Sequence, residues 1–243
     1  LLGEDVKCVH IVERGTAMKS QEIFEELKKS IDSAVYTEDV SKEIKKYNVS
    51  EDFTVDWKDS LPKPPVNSSK ITHSELLYLS ELTENISVAQ KALVELVDKE
   101  PLDLFEKTIR NNNLKVDKEG FKKLWKVSRP VVMRLKYLFN RPRPEQLAPY
   151  FGLKVNVIET STHHTPAYPS GHTCYTAMAA HLFSAQYPEF SNEFFSQPGI
   201  AGYARCLQGV HYPSDNDAAM TISSVIWEDL KFKMFPELFT RGE

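Results

Sequence analysis

Apolar residues recur at helical spacing through most of the chain, and sustained two-residue alternation is nearly absent. The first periodic stretch covers 20–35, with Ile23, Phe24, Leu27 and Ile31 on one face. Thr72-x-x-Glu75 has the form of a capping box. Behind it Leu76, Leu79, Leu82, Ile86, Ala89, Leu93, Leu96 and Val97 keep the spacing as far as Pro101, which predicts one long helix. Shorter helices are predicted over 102–111 and 117–127, the second capped by Asp117. Ser128-Arg-Pro130 opens another, with Val131, Val132, Leu135, Leu138 and Phe139 on it. That helix must end by Asn140, because Pro142 and Pro144 remove amide donors and crowd the preceding turn. Three more are predicted over 172–187, 190–208 and 214–233, the last capped by Ser214-x-x-Asp217. Phe151–Ile158 alternates enough for a short strand or an extended loop.

These elements make the class mostly α, and the composition agrees. Only nine glycines interrupt the long helix-forming runs, which argues against an all-β fold. The Pro- and Ser-rich stretch Asp59–Ser69 reads as an extended linker. It sets a boundary near residue 70, with 1–70 as an N-terminal helical and extended appendage and 71–243 as a helical catalytic domain. A chain of 243 residues can bury a sizeable core. The net charge of −4 gives no global reason to expect nucleic acid or an anionic membrane surface as partner. No apolar run approaches the ~20 residues that span a bilayer. The best, around 177–183 and 222–227, are short and interrupted, so a soluble protein without membrane insertion is expected. No signal-peptide pattern is visible. Cys8, Cys174 and Cys206 make no disulfide framework and lean towards a reducing, cytoplasmic compartment.

Chemistry concentrates in three blocks: Lys136-x6-Arg143-Pro144, Pro169-Ser170-Gly171-His172 and Arg205-x5-His211-x3-Asp215. All fall at predicted helix ends, where free amides and positive dipole ends are available. Gly171 allows close backbone approach at a helix N-terminus suited to anions, with Ser170 as a hydroxyl donor. Lys136 lies on the last turn of its helix, and prolines hold the arginine fork that follows. A histidine with a carboxylate four residues on suggests an oriented imidazole. Taken singly, these are a helix cap, two surface cations beside a proline turn and a helix-terminal histidine. Arg141 competes with Arg143, and Asp217 with Asp215. No HExxH, paired CxxC or carboxylate cluster has metal-site spacing, so no metal is expected.

In this order and spacing the blocks resemble the type-2 phosphatidic acid phosphatase (PAP2) superfamily, whose soluble branches include bacterial nonspecific acid phosphatases and vanadium-dependent haloperoxidases. The resemblance covers residues 136–215 and departs at Ala204, where the family usually has serine. It implies an all-α bundle with the active site at helix ends. Lys136, Arg143 and Arg205 would neutralise phosphoryl oxygens, and Ser170 with the Gly171 amide would complete the cradle. His211 would attack phosphorus, Asp215 would orient its ring, and His172 would protonate the leaving alcohol and then activate water. The implied activity is a metal-independent phosphomonoesterase acting on small phosphate esters through a phosphohistidine. The same cradle serves a vanadate-dependent haloperoxidase, with vanadate as cofactor and His211 as its ligand. A non-catalytic phosphate-binding relative is the third reading. His172-Thr173 and His211-Tyr-Pro-Ser-Asp215 resemble acid phosphatases and favour hydrolysis. Two histidines near a reference pKa of roughly 6.5 predict a bell-shaped pH profile. His163 and His164 are expected on a solvated loop near the pocket mouth, His181 among packed helices, and His10 and His73 in incidental positions. Trp125 and Tyr168 are expected to line the pocket, and Cys174 and Cys206 to pack beside it. Homo-oligomerisation stays open.

Overall fold

The structure, a computed structural model, describes residues 20–240. Cys8, His10 and the first part of the expected appendage lie outside the described residues. Among the described residues ten α-helices follow in chain order: α1 (Ser20–Asp32), α2 (Val40–Ile44), α3 (Lys70–Leu82), α4 (Val88–Lys99), α5 (Glu106–Asn111), α6 (Lys118–Phe139), α7 (Pro144–Leu147), α8 (Gly171–Gln186), α9 (Ser191–Leu207) and α10 (Pro213–Met234). No strand occurs among the described residues, so the class is all-α. Phe151–Ile158 is the extended loop rather than the strand.

α8 occupies the centre and packs along α9, α10 and α6. Its run Ala177-Met-Ala-Ala180 is buried on every side, as a helix enclosed by neighbours requires. Phe105, Phe121, Phe183 and Phe194 meet around it, the Phe105–Phe183 pair edge-to-face at 5.3 Å. Such aromatic pairs combine large buried area with a preferred geometry. His181 lies on the same helix. It stacks on Trp227 at 5.8 Å, its Nε2 is 3.2 Å from Ser224 Oγ, and burial pushes its pKa down to about 4.

Four sequence expectations need correction. The long helix behind Thr72 is two helices, because Ser87 and Gln90 form a reciprocal capping box that starts α4. Thr72 and Glu75 are not a cap: Ser69 caps α3, and both residues sit on its buried face. The helices expected over 117–127 and from 128 onward are one, α6, which Asp117 caps as expected. Pro130 sits inside it at the loss of one backbone bond, and burial of Val131, Val132 and Leu135 outweighs a penalty of about 3 kcal/mol. Ser214-x-x-Asp217 is no cap either, since Asp215 Oδ2 accepts the Tyr212 amide at the start of α10.

The segment before residue 70 is bound to the remainder by specific contacts. Trp57 and Leu61 are buried in the main core. Asn140 Nδ2 donates to Thr37 O at 2.7 Å, and Thr54 N donates to Asp229 Oδ2 at 2.8 Å. On α1, only Ile31 is buried, while Ile23, Phe24 and Leu27 are exposed.

The lowered pKa of His181 has a definite sign. Between pH ~6.5 and about 4 the unfolded chain holds a proton on this ring and the folded chain does not. The associated stability is present above pH ~6.5 and is lost as pH falls towards 4. Thermal melts of the His181→Leu variant should therefore lose less Tm between pH 7 and 5 than the parent protein does. Parallel slopes would show that His181 does not carry this dependence.

Candidate active site

Six of the eight expected site residues line one cavity of about 550 Å³: Lys136, Arg143, Gly171, His172, Arg205 and His211. A second cavity of about 610 Å³, bordered by 63–67 and 138–142, contains none of the histidines. Lys136 comes from the last turn of α6, where Asn140 ends the helix in the left-handed region at φ 47°. Arg143 follows on the extended Arg-Pro-Arg-Pro segment. Gly171 and His172 open α8. Arg205 comes from the last turn of α9. His211 lies in the connection to α10. That connection turns at Gly209, φ 79°, where a Cβ would come 2.6 Å from Asn156 O.

His211 is held from both sides. Its Nδ1 lies 2.9 Å from Asp215 Oδ2, and its Nε2 lies 3.0 Å from Arg143 Nη1. Asp215 can only accept and Arg143 can only donate, so the ring carries its proton on Nδ1 and a lone pair on Nε2. Burial, followed by the charges of Arg143, Lys136 and Arg205, lowers its pKa well below the ordinary value and keeps it neutral. Asp215 is buried behind it and is absent from the cavity wall; Asp217 is exposed.

Arg141 proves to have a different task from Arg143. Its Nη1 donates to Asp215 Oδ1 at 2.5 Å and its Nη2 to Glu75 Oε2 at 3.0 Å, and its guanidinium lies 3.8 Å from the Tyr212 ring centroid. Burial works against its charge, yet Asp215, Tyr212 and Glu75 outweigh that and raise its pKa. Glu75 also accepts the Ser214 amide at 2.6 Å. The sequence held a signal for this role: a carboxylate on the apolar stripe of α3, beside Leu76 and Leu79, needs a buried cation.

The cavity cations are only partly neutralised. Lys136 Nζ donates to the carbonyls of Pro166 and Ala167 at 2.8 and 3.3 Å, and burial followed by the Arg143 charge lowers its pKa strongly. Arg143 donates to Thr165 O at 2.7 Å and Val210 O at 2.5 Å. Arg205 pairs with Asp98 Oδ1 at 2.9 Å, while its buried Nε has no hydrogen-bond partner among the described residues. Burial and the Arg143 charge bring its pKa down to about 10. Asp98 at the end of α4 was not anticipated; it also accepts from Thr160 and Thr162, which anchors the loop at the cavity edge. Ala204, the departure from the PAP2 pattern, is buried with Val97 and Ala201. Lys136, Arg143 and Arg205 border the cavity with one directly paired carboxylate, Asp98, so cations predominate where an oxyanion would enter.

Ser170 does not reach the cavity wall. Its hydroxyl is 2.9 Å from Thr173 Oγ1, and it makes no side-chain cap on α8. The positive end of α8 at Gly171 therefore borders the cavity without a serine cap. A Cβ on Gly171 would meet only Lys136 Cε, at 3.7 Å, so protein packing alone does not demand glycine there. His172 sits one residue on; burial and the Arg205 charge lower its pKa to about 3. The expectation of two histidines titrating near pH ~6.5 is thus corrected for both.

The remaining expectations divide. Trp125 and His164 line the cavity, whereas Tyr168 is in the core and donates to Pro62 O at 2.8 Å. His163 is buried, its Nε2 3.2 Å from Glu159 Oε2, rather than solvated. Cys174 and Cys206 are free and buried. Among the described residues, no group of three or more His, Cys, Asp or Glu could hold a metal ion, and no helix is long and apolar enough to cross a membrane.

No curated protein matches the chain. Fourteen solved chains do match. One is the crystal structure of a holo-type bacterial vanadium-dependent chloroperoxidase, with 14% identity and a TM-score of 0.49, covering 73% of this chain and 51% of that one. The chain thus spans about half the length of that relative. Another is a transmembrane PAP2-type phosphatidylglycerolphosphate phosphatase from Bacillus subtilis, with 16% identity and a TM-score of 0.37, covering 92% and 96% of the two chains. The family model of the PAP2 superfamily matches residues 126–228. That segment contains all three sequence blocks and every residue of the His211–Asp215–Arg143 arrangement, and it is a PAP2 superfamily segment.

Proposed function

We propose that the protein is a metal-independent phosphomonoesterase that works through a phosphohistidine on His211. The observation that carries this reading is the His211 ring, neutral, with Asp215 on Nδ1 and Nε2 beside Arg143 in a cavity of excess positive charge. Phosphoryl transfer needs positioning and charge stabilisation above all. Lys136, Arg143 and Arg205 hold the non-bridging oxygens in this reading, and the unpartnered Arg205 Nε is a donor in reserve for one of them. Nε2 attacks phosphorus, the ester P–O bond breaks, and His172 gives its proton to the departing oxygen. His172 then removes a proton from the water that cleaves the phosphohistidine. Residues 71–243 supply this machinery, and the preceding segment braces it and adds Tyr47 to the mouth.

The same donors suit vanadate, whose chemistry, when bound, is peroxide activation. In that reading the three cations hold its oxygens and His211 Nε2 is its ligand. The two readings separate in one experiment. Hydrolysis of p-nitrophenyl phosphate in the presence of EDTA, with no halide oxidation after loading with vanadate and peroxide, is the expected result. The reverse outcome would replace the phosphatase reading with the haloperoxidase one. His211→Ala should abolish hydrolysis and acid-labile phosphate incorporation while the circular dichroism spectrum is retained.

The lowered pKa values set a linkage. Burial and then the Arg205 and Lys136 charges depress His172 to about 3; a bound dianion offsets the charges, so binding raises its pKa and takes up a proton. Calorimetric titration of sulfate, a tetrahedral oxyanion that stays a dianion near pH 6, in buffers of different ionisation enthalpy, should show net proton uptake. His172→Asn should remove it. Unchanged uptake in that variant would assign the proton elsewhere.

Asp215 fixes which nitrogen carries the proton. In Asp215→Asn the amide can turn its NH₂ towards Nδ1, which moves the proton to Nε2 and blocks attack. A loss in kcat of about 10³–10⁴, with binding of phosphate retained, is expected by analogy with other oriented histidines. A loss below about tenfold would mean that the carboxylate does not set the tautomer.

A further inference from the structure

The reaction described above uses only the deep end of the cavity; its outer half is built differently. α6 lays Trp125, Arg129, Val132, Met133 and Lys136 along one wall, a stripe at helical spacing. Arg129 is seven residues from Lys136, about 10.5 Å along the helix axis. Next to this stripe, Tyr175 lies one turn beyond His172 on α8 and borders the same cavity. Tyr175 is fixed edge-on by Phe121 at 4.8 Å and by Trp125 at 5.1 Å, so this aromatic surface is rigid. Tyr47 closes a third side. Its carbonyl accepts Arg134 Nε at 2.6 Å, and the Arg129 guanidinium lies over its ring at 5.7 Å.

Arg129 and Lys99 at this rim form no ion pair or hydrogen bond among the described residues, although both border the cavity. Arg129 carries more weight, because Lys99 is followed by the exposed Glu100. Lys136, Arg143 and Arg205 meet the phosphoryl group deeper in, which leaves the rim cations without a counterpart on a simple ester. His172 lies on the leaving-group side, so the departing alcohol must lie along Tyr175 and Trp125.

We propose that the outer half is a leaving-group subsite, for a phosphate ester whose alcohol carries an aromatic body and a second anionic group near Arg129. This rests on the phosphomonoesterase reading for its direction, since that reading places the leaving group beside His172. The aromatic body stacks along Trp125 and Tyr175 over the Val132–Met133 floor, and the far anion meets Arg129 with Lys99 behind it. The cavity volume of about 550 Å³ accommodates a ligand of this size.

Binding tests the subsite independently of turnover. Two non-hydrolysable phosphonates serve as probes, (biphenyl-4-yl)methylphosphonate and its 4′-carboxylate, titrated calorimetrically into the full chain. The carboxylate should bind about fivefold more tightly at low ionic strength, the upper range for partly exposed ion pairs, and lose the advantage at high salt. Arg129→Gln should reduce the ratio towards one, with Lys99→Gln having the smaller effect. Both residues are exposed, so these variants should fold. Equal affinity of the two probes in the parent protein, or a ratio that survives Arg129→Gln, would overturn the proposal. Hydrolysis of propyl phosphate is followed separately: its absence would count against the phosphomonoesterase reading, while the phosphonate ratio still decides the rim.

Discussion

Arg141 joins Glu75 to Asp215 beneath the cavity, and the position of His211 depends on that joint. Each member is buried, so none is tolerable alone: removing one partner of such a pair typically costs about 3–5 kcal/mol through the charge left behind. The joint also draws distant elements together. Glu75 belongs to α3, Arg141 to the segment after α6, and Ser214 and Asp215 to the start of α10. Arg141 holds Asp215 Oδ1, and Oδ2 is left to accept from both the Tyr212 amide and His211 Nδ1. Arg143 then meets the opposite nitrogen. A carboxylate bridge between two helices thereby determines the protonation of a ring that neither helix carries.

The cation cluster stands in tension with folding. Burial lowers the pKa values of Lys136, Arg143 and Arg205, the mark of charges kept where water is scarce. An anion that binds the folded chain and not the unfolded one offsets that cost by mass action. Asp98 and the carbonyls of Pro166, Ala167, Thr165 and Val210 supply partial compensation from within the protein. Full compensation by carboxylates would have been more stable, and it would have removed the reason for an oxyanion to enter.

Much of this was legible from residue order. The all-α class followed from periodicity, while residue order alone left Arg141 beside Arg143 and Asp217 beside Asp215 as competitors, and only the family resemblance chose between them. The misreadings share a physical origin. Thr72 and Glu75 matched a capping pattern, but their place on a buried stripe was the stronger signal. Pro130 marked a boundary by local rules, and packing on both sides carried the helix through it. Asp98 and Tyr47 could not be assigned from their neighbours in sequence. Their relevance arises only because the capping box at Ser87 splits the expected long helix, and because the segment before residue 70 folds back along α6. Histidine acidity was also out of reach, since it depends on burial and on charges distant in sequence, such as Lys136 for His211 and Asp98 for His172.

The two glycines that frame the site are constrained by different forces, and this bears on how the sequence can drift. Gly209 has a positive φ and a backbone oxygen 2.6 Å from the place of a side chain, so every L-residue is excluded there whether or not the protein performs chemistry. Gly171 has ordinary backbone geometry and only a 3.7 Å contact, so an alanine could be accommodated by the fold and would be rejected, if at all, by what occupies the cavity. A lineage that abandoned its reaction would keep the first glycine and be free to lose the second. Across related sequences, the pair therefore distinguishes purifying selection for folding from purifying selection for function.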